Sequence, residues 1–325
     1  MSSVLSRATF AIGKAALVIV LLVGCTSGNE EGDAVDTESK GLAKKAMKGR
    51  QALADGSIYE GELSKGKPNG YGVRKYANGD LYDGQHKNGL SHGYGAHVYQ
   101  SSEEFESYSG LWESGKREGF GTLVLSDSSR MEGYWNNDQL LYGEYQGSNG
   151  LVLAGKWKES ILAEGRMKTE LNEEFTGSFH IDRTFDYGTF LTAAGDRYTG
   201  RFKDNSYHGN GVLERVDESV YVGNFSEGEF SGIGVLVESE GTTYSGKFEK
   251  GIPHGYGVQQ DRRGVTYSGM WYEGEKNGKG TLDFGDGTSF HGEFRAGLAL
   301  QGSYDWGNGK ITDSYQDENG EWRDR

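Results

Sequence analysis

Three of the seven histidines recur at one spacing and are the residues best suited to form a metal site. His92, His208 and His254 each stand immediately before a glycine in the same local pattern. Successive hairpins of a sheet advance by about 9.6 Å, which would separate His208 from His254, two repeats apart, by roughly 19 Å. A metal ion needs its ligands about 2 Å away. We therefore expect no metal site and interpret these histidines as polar residues near the ends of loops.

Cys25 is the only cysteine, so the sequence excludes an intrachain disulfide and a cysteine metal cluster. The cysteine follows an apolar run, residues 15–23, that is too short to span a bilayer as a helix. Two positive charges, Arg7 and Lys14, precede this run, as in a signal peptide. One interpretation is an ordinary signal peptide with a cysteine close to its end.

The tetrapeptide Leu22-Val23-Gly24-Cys25 also resembles the bacterial lipobox. This resemblance implies cleavage between Gly24 and Cys25 and a covalent diacylglycerol on the Cys25 thiol. Because Thr26 and not aspartate follows the cysteine, it further implies sorting to the outer membrane. We therefore predict a lipid-anchored, periplasm-facing protein of the bacterial outer membrane, with further acyl chains making the anchor durable.

The sequence contains no short motif that would supply a catalytic site. It has no Gly-x-Ser-x-Gly, His-Glu-x-x-His, P-loop or Gly-x-Gly-x-x-Gly pattern. Carboxylates are numerous, so a pair at the separation used by glycosidases would arise by chance. We therefore expect no enzymatic activity and no cofactor apart from the lipid on Cys25.

Glycine accounts for 54 of the 325 residues, and its spacing defines a repeat. The pattern Tyr-x-Gly-x-aromatic returns every 22 to 26 residues, with glycine at position three of all eleven copies and a ring at position five of nine. Seven copies add a Gly-x-Gly pair at positions twelve and fourteen. The units begin at Tyr59, Tyr82, Tyr108, Met131, Leu153, Phe175, Tyr198, Tyr221, Tyr244, Tyr267 and Phe290.

This pattern predicts two strands per unit. Side chains alternate along a strand, so positions one, three and five share a face that presents ring, glycine, ring. We expect the glycines at positions twelve and fourteen to share a face of the second strand and to leave room for a ring. Turn-forming residues at position eight, such as Gly66 and Gly251, join the two strands. Each unit is therefore predicted to be a β-hairpin.

The full pattern resembles the MORN repeat, and residues 244–257 match it throughout. The resemblance covers about 250 residues. It implies an all-β fold, an elongated single-layer antiparallel sheet of successive hairpins. For function it implies scaffolding, protein contacts and association with membrane lipids.

Composition divides the chain into four parts. Residues 1–24 are the predicted signal peptide, and residues 25–56 are a flexible tether with a basic patch that could include a short helix. Residues 57–310 form the repeat array, and residues 311–325 a polar tail. Units within residues 131–197 lack the glycine pair and are degenerate, which predicts a bend in that part of the array.

The net charge of −14 argues against nucleic acid as a partner. A long acidic surface suits an extended or basic protein partner instead. We therefore predict a non-catalytic scaffold that holds a protein partner in the bacterial envelope, with its oligomeric state open. Phospholipid association by the repeats themselves is an alternative that the acidic charge disfavours.

The rows of rings are the candidate binding surface. As structural residues they would pack one face of the sheet and stabilise it. As functional residues, an exposed part of the row would stack on the sugar rings of peptidoglycan or exopolysaccharide, which makes glycan binding the main alternative function. The candidate residues are Tyr82, Tyr108, Trp112, Tyr244, Tyr267 and Trp271.

Overall fold

The computed structural model describes residues 47–324, and the predicted signal peptide and most of the tether lie outside the described residues. The described residues form one antiparallel sheet of 25 strands, with no helix among them, which confirms the predicted all-β fold. Each strand pairs with its neighbours in chain order. The strands of the first half are β1 Met47–Ala52, β2 Ile58–Ser64, β3 Lys67–Lys75, β4 Leu81–Lys87, β5 Leu90–Val98, β6 Phe105–Glu113, β7 Lys116–Leu125, β8 Arg130–Asn136, β9 Gln139–Gln146, β10 Val152–Lys158, β11 Ile161–Lys168 and β12 Glu174–Phe179. Those of the second half are β13 Phe185–Leu191, β14 Arg197–Lys203, β15 Ser206–Glu214, β16 Val220–Ser226, β17 Glu229–Val237, β18 Thr243–Glu249, β19 Ile252–Gln260, β20 Thr266–Tyr272, β21 Glu275–Asp283, β22 Ser289–Arg295, β23 Leu298–Asp305, β24 Ile311–Gln316 and β25 Trp322–Asp324.

The sheet extends beyond the predicted array at both ends. Strand β1 lies in the segment assigned to the tether and pairs along its whole length with β2. Its residues therefore form a strand at the position where a short basic helix was considered. At the other end, β24 and β25 occupy most of the predicted polar tail and pair with β23 and with each other.

Two-residue loops join the strands of most units. In the loop Lys250–Gly251, both residues have positive φ, at 50° and 82°. Two consecutive positive φ values are typical of the type I′ turn, whose twist matches that of a hairpin. Glycine at position eight adopts this conformation without a steric penalty, and the predicted hairpin of each unit is confirmed.

A large β-bulge, with two extra residues in the second strand, follows position three in the regular units. In the unit that begins at Tyr244, Gly246 pairs with Gly257 and Phe248 pairs with Pro253. Lys247 alone therefore lies opposite three residues of the second strand. The same excess of two residues occurs in all seven units that begin with tyrosine.

The tyrosine at position one binds the backbone at this bulge. Its hydroxyl donates a hydrogen bond to the carbonyl oxygen of position four, as from Tyr244 to Lys247 at 3.0 Å. A buried tyrosine hydroxyl requires such a partner. The other six bonds, between 2.8 and 3.2 Å long, join Tyr59 to Glu62, Tyr82 to Gln85, Tyr108 to Leu111, Tyr198 to Arg201, Tyr221 to Asn224 and Tyr267 to Met270.

The ring of this tyrosine lies against the glycines of positions three and fourteen. A Cβ atom added to Gly257 would stand 2.5 Å from Cζ of Tyr244, so no side chain fits there. The prediction that position twelve also faces a ring is wrong. Gly255 has a φ of 69°, and its added Cβ would meet the side chain of Lys247. The bulge places position twelve beside position four, and glycine is needed there for its positive φ.

Four units lack the tyrosine hydroxyl and have a smaller bulge. In the units beginning at Met131, Leu153, Phe175 and Phe290, the second strand has an excess of one residue instead of two. These units also lack the glycine at position twelve. The irregularity of the sequence thus corresponds to a different bulge, and the hairpin itself is retained.

The buried core divides inside this irregular segment. One cluster of buried side chains runs from Tyr82 to Leu162, and a second runs from Phe175 to Tyr304. Phe179 packs against both clusters. Both consist mainly of the residues at positions one and five, which confirms that these positions share the buried face, called the ring face below.

His86 occupies position five of its unit, where most units have an aromatic ring. Its imidazole is buried edge-on between Tyr59 and Tyr82, with ring centroids 4.8 and 5.0 Å away. Nδ1 bonds the carbonyl oxygen of Gly84 at 3.1 Å, and Nε2 is buried with no hydrogen-bond partner among residues 47–324. Burial lowers the pKa of His86 from 6.5 to about 4.

We predict that Gly257→Ala destabilises the array by about 1–3 kcal/mol, because its Cβ overlaps the Tyr244 ring. Urea unfolding of the variant measures this loss. Ser245→Ala, on the opposite face of the neighbouring strand, serves as the control and should leave the midpoint unchanged. Equal midpoints for the two variants would show that the ring does not occupy this space.

We predict that His86→Phe removes an acid sensitivity of the fold. Because the unfolded chain binds a proton on His86 near pH 6.5 and the folded chain only near pH 4, wild-type stability is complete above pH 6.5 and declines as the pH falls towards 4. Relative to pH 7.5, the wild type should lose about 1–2 kcal/mol more than the variant at pH 5. An equal fall in the unfolding midpoint of both proteins between pH 7.5 and pH 5 would contradict this prediction.

Candidate functional site

The six rings predicted as a binding surface are all buried. Each is 6% exposed or less, and all six belong to the two core clusters. They therefore stabilise the sheet and offer no surface to a glycan, which corrects that prediction. The affected residues are Tyr82, Tyr108, Trp112, Tyr244, Tyr267 and Trp271. The predicted lipidation residues, Gly24 and Cys25, lie outside the described residues.

The rings bury one another in an edge-to-face series that crosses from unit to unit. Tyr244 meets Phe248 of its own unit at 4.9 Å and Trp271 of the next unit at 5.1 Å, with interplanar angles of 81° and 87°. Trp271 also donates from Nε1 to the carbonyl oxygen of Gly257 at 3.2 Å. Burial raises the pKa of Tyr244 and Tyr267 to about 12, so both hydroxyls remain neutral at physiological pH. Each unit is thereby fixed to its neighbour.

Exposed rings occupy the opposite, outer face of the sheet. Across β5 to β9, a row of large apolar side chains with 42% to 60% exposure follows the strand register. Tyr94 pairs with Leu111, Phe120 with Tyr134, and Tyr134 with Tyr142. The ring centroids of Phe120 and Tyr134 are 5.6 Å apart. We call the row Tyr94, Leu111, Phe120, Tyr134 and Tyr142 the outer ladder.

A further pattern in the sequence predicts this row, although positions one, three and five of the repeat do not reveal it. The residue between the two glycines, position thirteen, is a ring in four units, as in Gly70-Tyr71-Gly72. The register places these rings beside position four, on the face opposite the buried tyrosines. The four residues are Tyr71, Tyr94, Phe120 and Tyr256, all of which are exposed.

A shallow depression of about 1000 Å³ lies at the C-terminal end of the outer ladder. Tyr134 and Tyr142 line it together with Glu132 and Glu144. These two glutamates stand directly opposite each other on β8 and β9. Like charges in this arrangement destabilise a sheet. Arg130 forms an ion pair with Glu132, and the neutral amide of Gln146 donates a hydrogen bond to Glu144. Arg130, Lys156 and Glu164 also line the depression, so it is aromatic and its charged lining carries one net negative charge.

The repeat histidines do not form a metal centre in the described part of the chain. His92, His208 and His254 lie on separate hairpins, and His254 Nε2 is 3.7 Å from a carboxylate oxygen of Glu249. Among residues 47–324, no group of three or more metal-ligating side chains comes together. Over the same residues there is also no helix with the length and apolarity needed to cross a bilayer.

Comparison with solved structures gives only weak likenesses. The TCP domain of SAS-4 from Drosophila melanogaster, in complex with a proline-rich motif of Ana2, is 10% identical, covers 66% of this chain and 99% of its own, and has a TM-score of 0.25. The TCP10 domain of Danio rerio CPAP, also 10% identical, covers 85% and 98% with a TM-score of 0.16. A virginiamycin B lyase from Staphylococcus aureus is 10% identical, covers 81% and 86%, and scores 0.15. Scores this low carry no argument, and no curated protein matches the chain significantly.

The family model of the MORN repeat matches the chain seven times. The matched units are the seven that begin with tyrosine and have the two-residue bulge. The four remaining hairpins have the smaller bulge and no match. The matched residues are 59–81, 82–102, 108–130, 198–220, 221–243, 244–266 and 267–289. The chain therefore carries seven MORN repeats. Repeats of this family are typically non-catalytic, and they indicate a repeat-based module for protein interaction or membrane association.

Proposed function

We propose that the protein is a non-catalytic, lipid-anchored scaffold of the bacterial envelope. Its rigid sheet binds an extended, basic segment of a protein partner along the outer ladder. Cys25 carries the lipid that holds the scaffold at the outer membrane, on the periplasmic side. The MORN repeats support the interaction role, and the sequence around Cys25 supports the anchor.

The exposure of the outer ladder is the observation that carries this proposal. Five large apolar side chains on consecutive strands stand in solvent, although the ring face already buries the rings that stabilise the sheet. Exposed apolar rows rimmed by polar groups are typical of binding surfaces. Tyrosine and phenylalanine are suited to this role because they offer a large contact area with little loss of conformational entropy.

The opposed glutamates indicate the charge of the partner. Glu132 and Glu144 repel each other across β8 and β9, and a lysine or arginine placed between them would relieve that repulsion. The partner that fits is therefore an extended segment with apolar residues for the rings and a basic residue for the glutamates. Glycan binding through the six predicted rings has no support because those rings are buried.

We predict that a photo-crosslinking residue in the outer ladder captures one partner in intact cells. Benzoylphenylalanine replacing Tyr134 keeps an aromatic side chain at an exposed position and should give a discrete adduct on irradiation. Adding Glu132→Gln and Glu144→Gln to this protein should reduce the adduct at least fivefold while leaving the unfolding midpoint equal or higher. A structural role for the glutamates would instead lower the midpoint.

The matched control carries benzoylphenylalanine at His291, on the same face near the far end of the array. It should give no adduct of the same mass. An identical adduct from both positions, or none from Tyr134, would contradict the proposal.

The same cells test the anchor, since labelled palmitate should appear on the wild type in the outer-membrane fraction and be absent from Cys25→Ser. A soluble, unlabelled wild type would remove the anchor from the account.

A further inference from the structure

A cavity of about 430 Å³ opens on the ring face beside the first three units. We call it the inner cleft and define it by Arg74, Tyr76, His97, Tyr99, Trp112 and Arg117, which line it. It lies on the face opposite the outer ladder. With Phe105, which also lines it, the described residues around the cleft combine two guanidinium groups with five rings.

The polar residues of the inner cleft occupy repeat positions that are apolar in several other units, although Gln259 stands at position sixteen and Lys276 at position ten of later units. Arg74 and His97 stand at position sixteen, where later units have the buried leucines Leu123, Leu213 and Leu282. Arg117 stands at position ten, where the next two units have the buried Leu140 and Leu162. The hairpin therefore does not need these polar side chains. In the structure each of them has an aspartate as its neighbour, Asp55 for Arg74, Asp80 for His97 and Asp138 for Arg117.

Arg117 is held in place with part of its hydrogen-bonding capacity unused. Its side chain is 13% exposed, Nε lies 3.3 Å from a carboxylate oxygen of Asp138, and Nη2 donates to the Asp138 carbonyl at 3.0 Å. The guanidinium lies 4.7 Å from the Trp135 ring centroid. Nη1 is buried and makes no hydrogen bond within the described residues. An unused donor on a buried cation is costly, and an anion would supply the missing acceptor after a small movement of the side chain.

Arg74 fixes the other cationic wall. Its Nε donates to Ser57 Oγ at 2.9 Å, Nη1 donates to the Gly89 carbonyl at 2.9 Å, and Nη2 pairs with Asp55. Because these bonds hold the guanidinium in one orientation, its charge is preorganised at the wall of the cleft. The lining itself carries Arg74, Arg117 and Asp138, one net positive charge, while Asp55, paired with Arg74, and Asp80, beside His97, lie just outside it.

The aromatic part of the inner cleft is a parallel stack. His97 lies between Tyr76 and Tyr99, with centroid distances of 5.4 and 4.3 Å and interplanar angles of 12° for both. Nε2 of His97 is 3.6 Å from a carboxylate oxygen of Asp80, and burial lowers the pKa of His97. A stack of flat rings beside a cavity favours a flat ligand, because aromatic pairs gain from offset stacking.

We propose that the inner cleft binds a small aromatic carboxylate. The carboxylate accepts hydrogen bonds from the guanidinium of Arg117, since the planar fork of a guanidinium suits carboxylates. The guanidinium of Arg74 attracts the carboxylate by its charge. The ring of the ligand packs against Tyr76, Tyr99 and Trp112. This site is independent of the outer ladder, so the cleft and the scaffold role succeed or fail separately.

Benzoate is the probe that tests the site. Isothermal titration of full-length protein in detergent should show saturable binding of one benzoate per chain. Benzamide has the same shape without the charge, and acetate has the charge without the ring. Each should bind at least tenfold more weakly than benzoate. Equal affinity for benzoate and acetate, or no saturable binding of benzoate, would overturn the proposal.

Two substitutions taken from the protein's own repeats test the residues. Arg117→Leu copies Leu140, and His97→Leu copies Leu123, so both variants should fold with an unfolding midpoint at or above that of the wild type. Arg117→Leu should weaken benzoate binding at least tenfold, and His97→Leu at least threefold. Arg166→Leu, on the outer face, is the matched control and should bind as the wild type does. Unchanged affinity in both cleft variants would refute the assignment.

Discussion

A tyrosine hydroxyl that reaches the bulge of its own hairpin is the contact on which the regular array depends. It hydrogen-bonds the carbonyl of position four, and its ring occupies the space over two glycines, as Tyr244 does over Gly246 and Gly257. The ring then meets position five of its own and the following unit edge-on. The hydroxyl, the two-residue bulge and the glycine at position twelve occur together in seven units. The other four units lack the hydroxyl and that glycine and have the smaller bulge, although they keep a glycine pair between their strands. The seven are the units that match the MORN repeat.

The repeat and the hairpin could be predicted because both depend on local spacing. Glycine at position three, rings at one and five, and turn residues at eight define a strand, a turn and a buried face without reference to distant residues. The bulge could not be predicted in this way. Strict alternation assigns Gly255 and Gly257 to one face, whereas the two extra residues of the second strand turn only Gly257 towards the ring. The ends were also missed, because β1 and β24 lack the repeat pattern and owe their pairing to the edge of the preceding hairpin.

The same constraint decides which surface can bind. The rings at positions one and five pack in the core, so the candidate surface that included Trp112 and Trp271 is buried. Rings at positions four and thirteen are free because the bulge presents both on the outer face. The protein thus separates a ring face that stabilises the array from an outer face that can vary. In the first three units the ring face departs from this division, because Arg74, His97 and Arg117 stand beside a cavity at positions where several later units have aliphatic residues.

The most direct test of this account removes one hydroxyl. Tyr221→Phe retains the buried ring and deletes the hydrogen bond to the Asn224 carbonyl, which is 2.9 Å long. We expect the variant to lose about 1 kcal/mol of unfolding free energy and to show faster amide hydrogen exchange in β16 and β17. Tyr256→Phe, on the outer face, should change neither. A Tyr221→Phe protein with wild-type stability and exchange would contradict the claim that the hydroxyl holds the bulge.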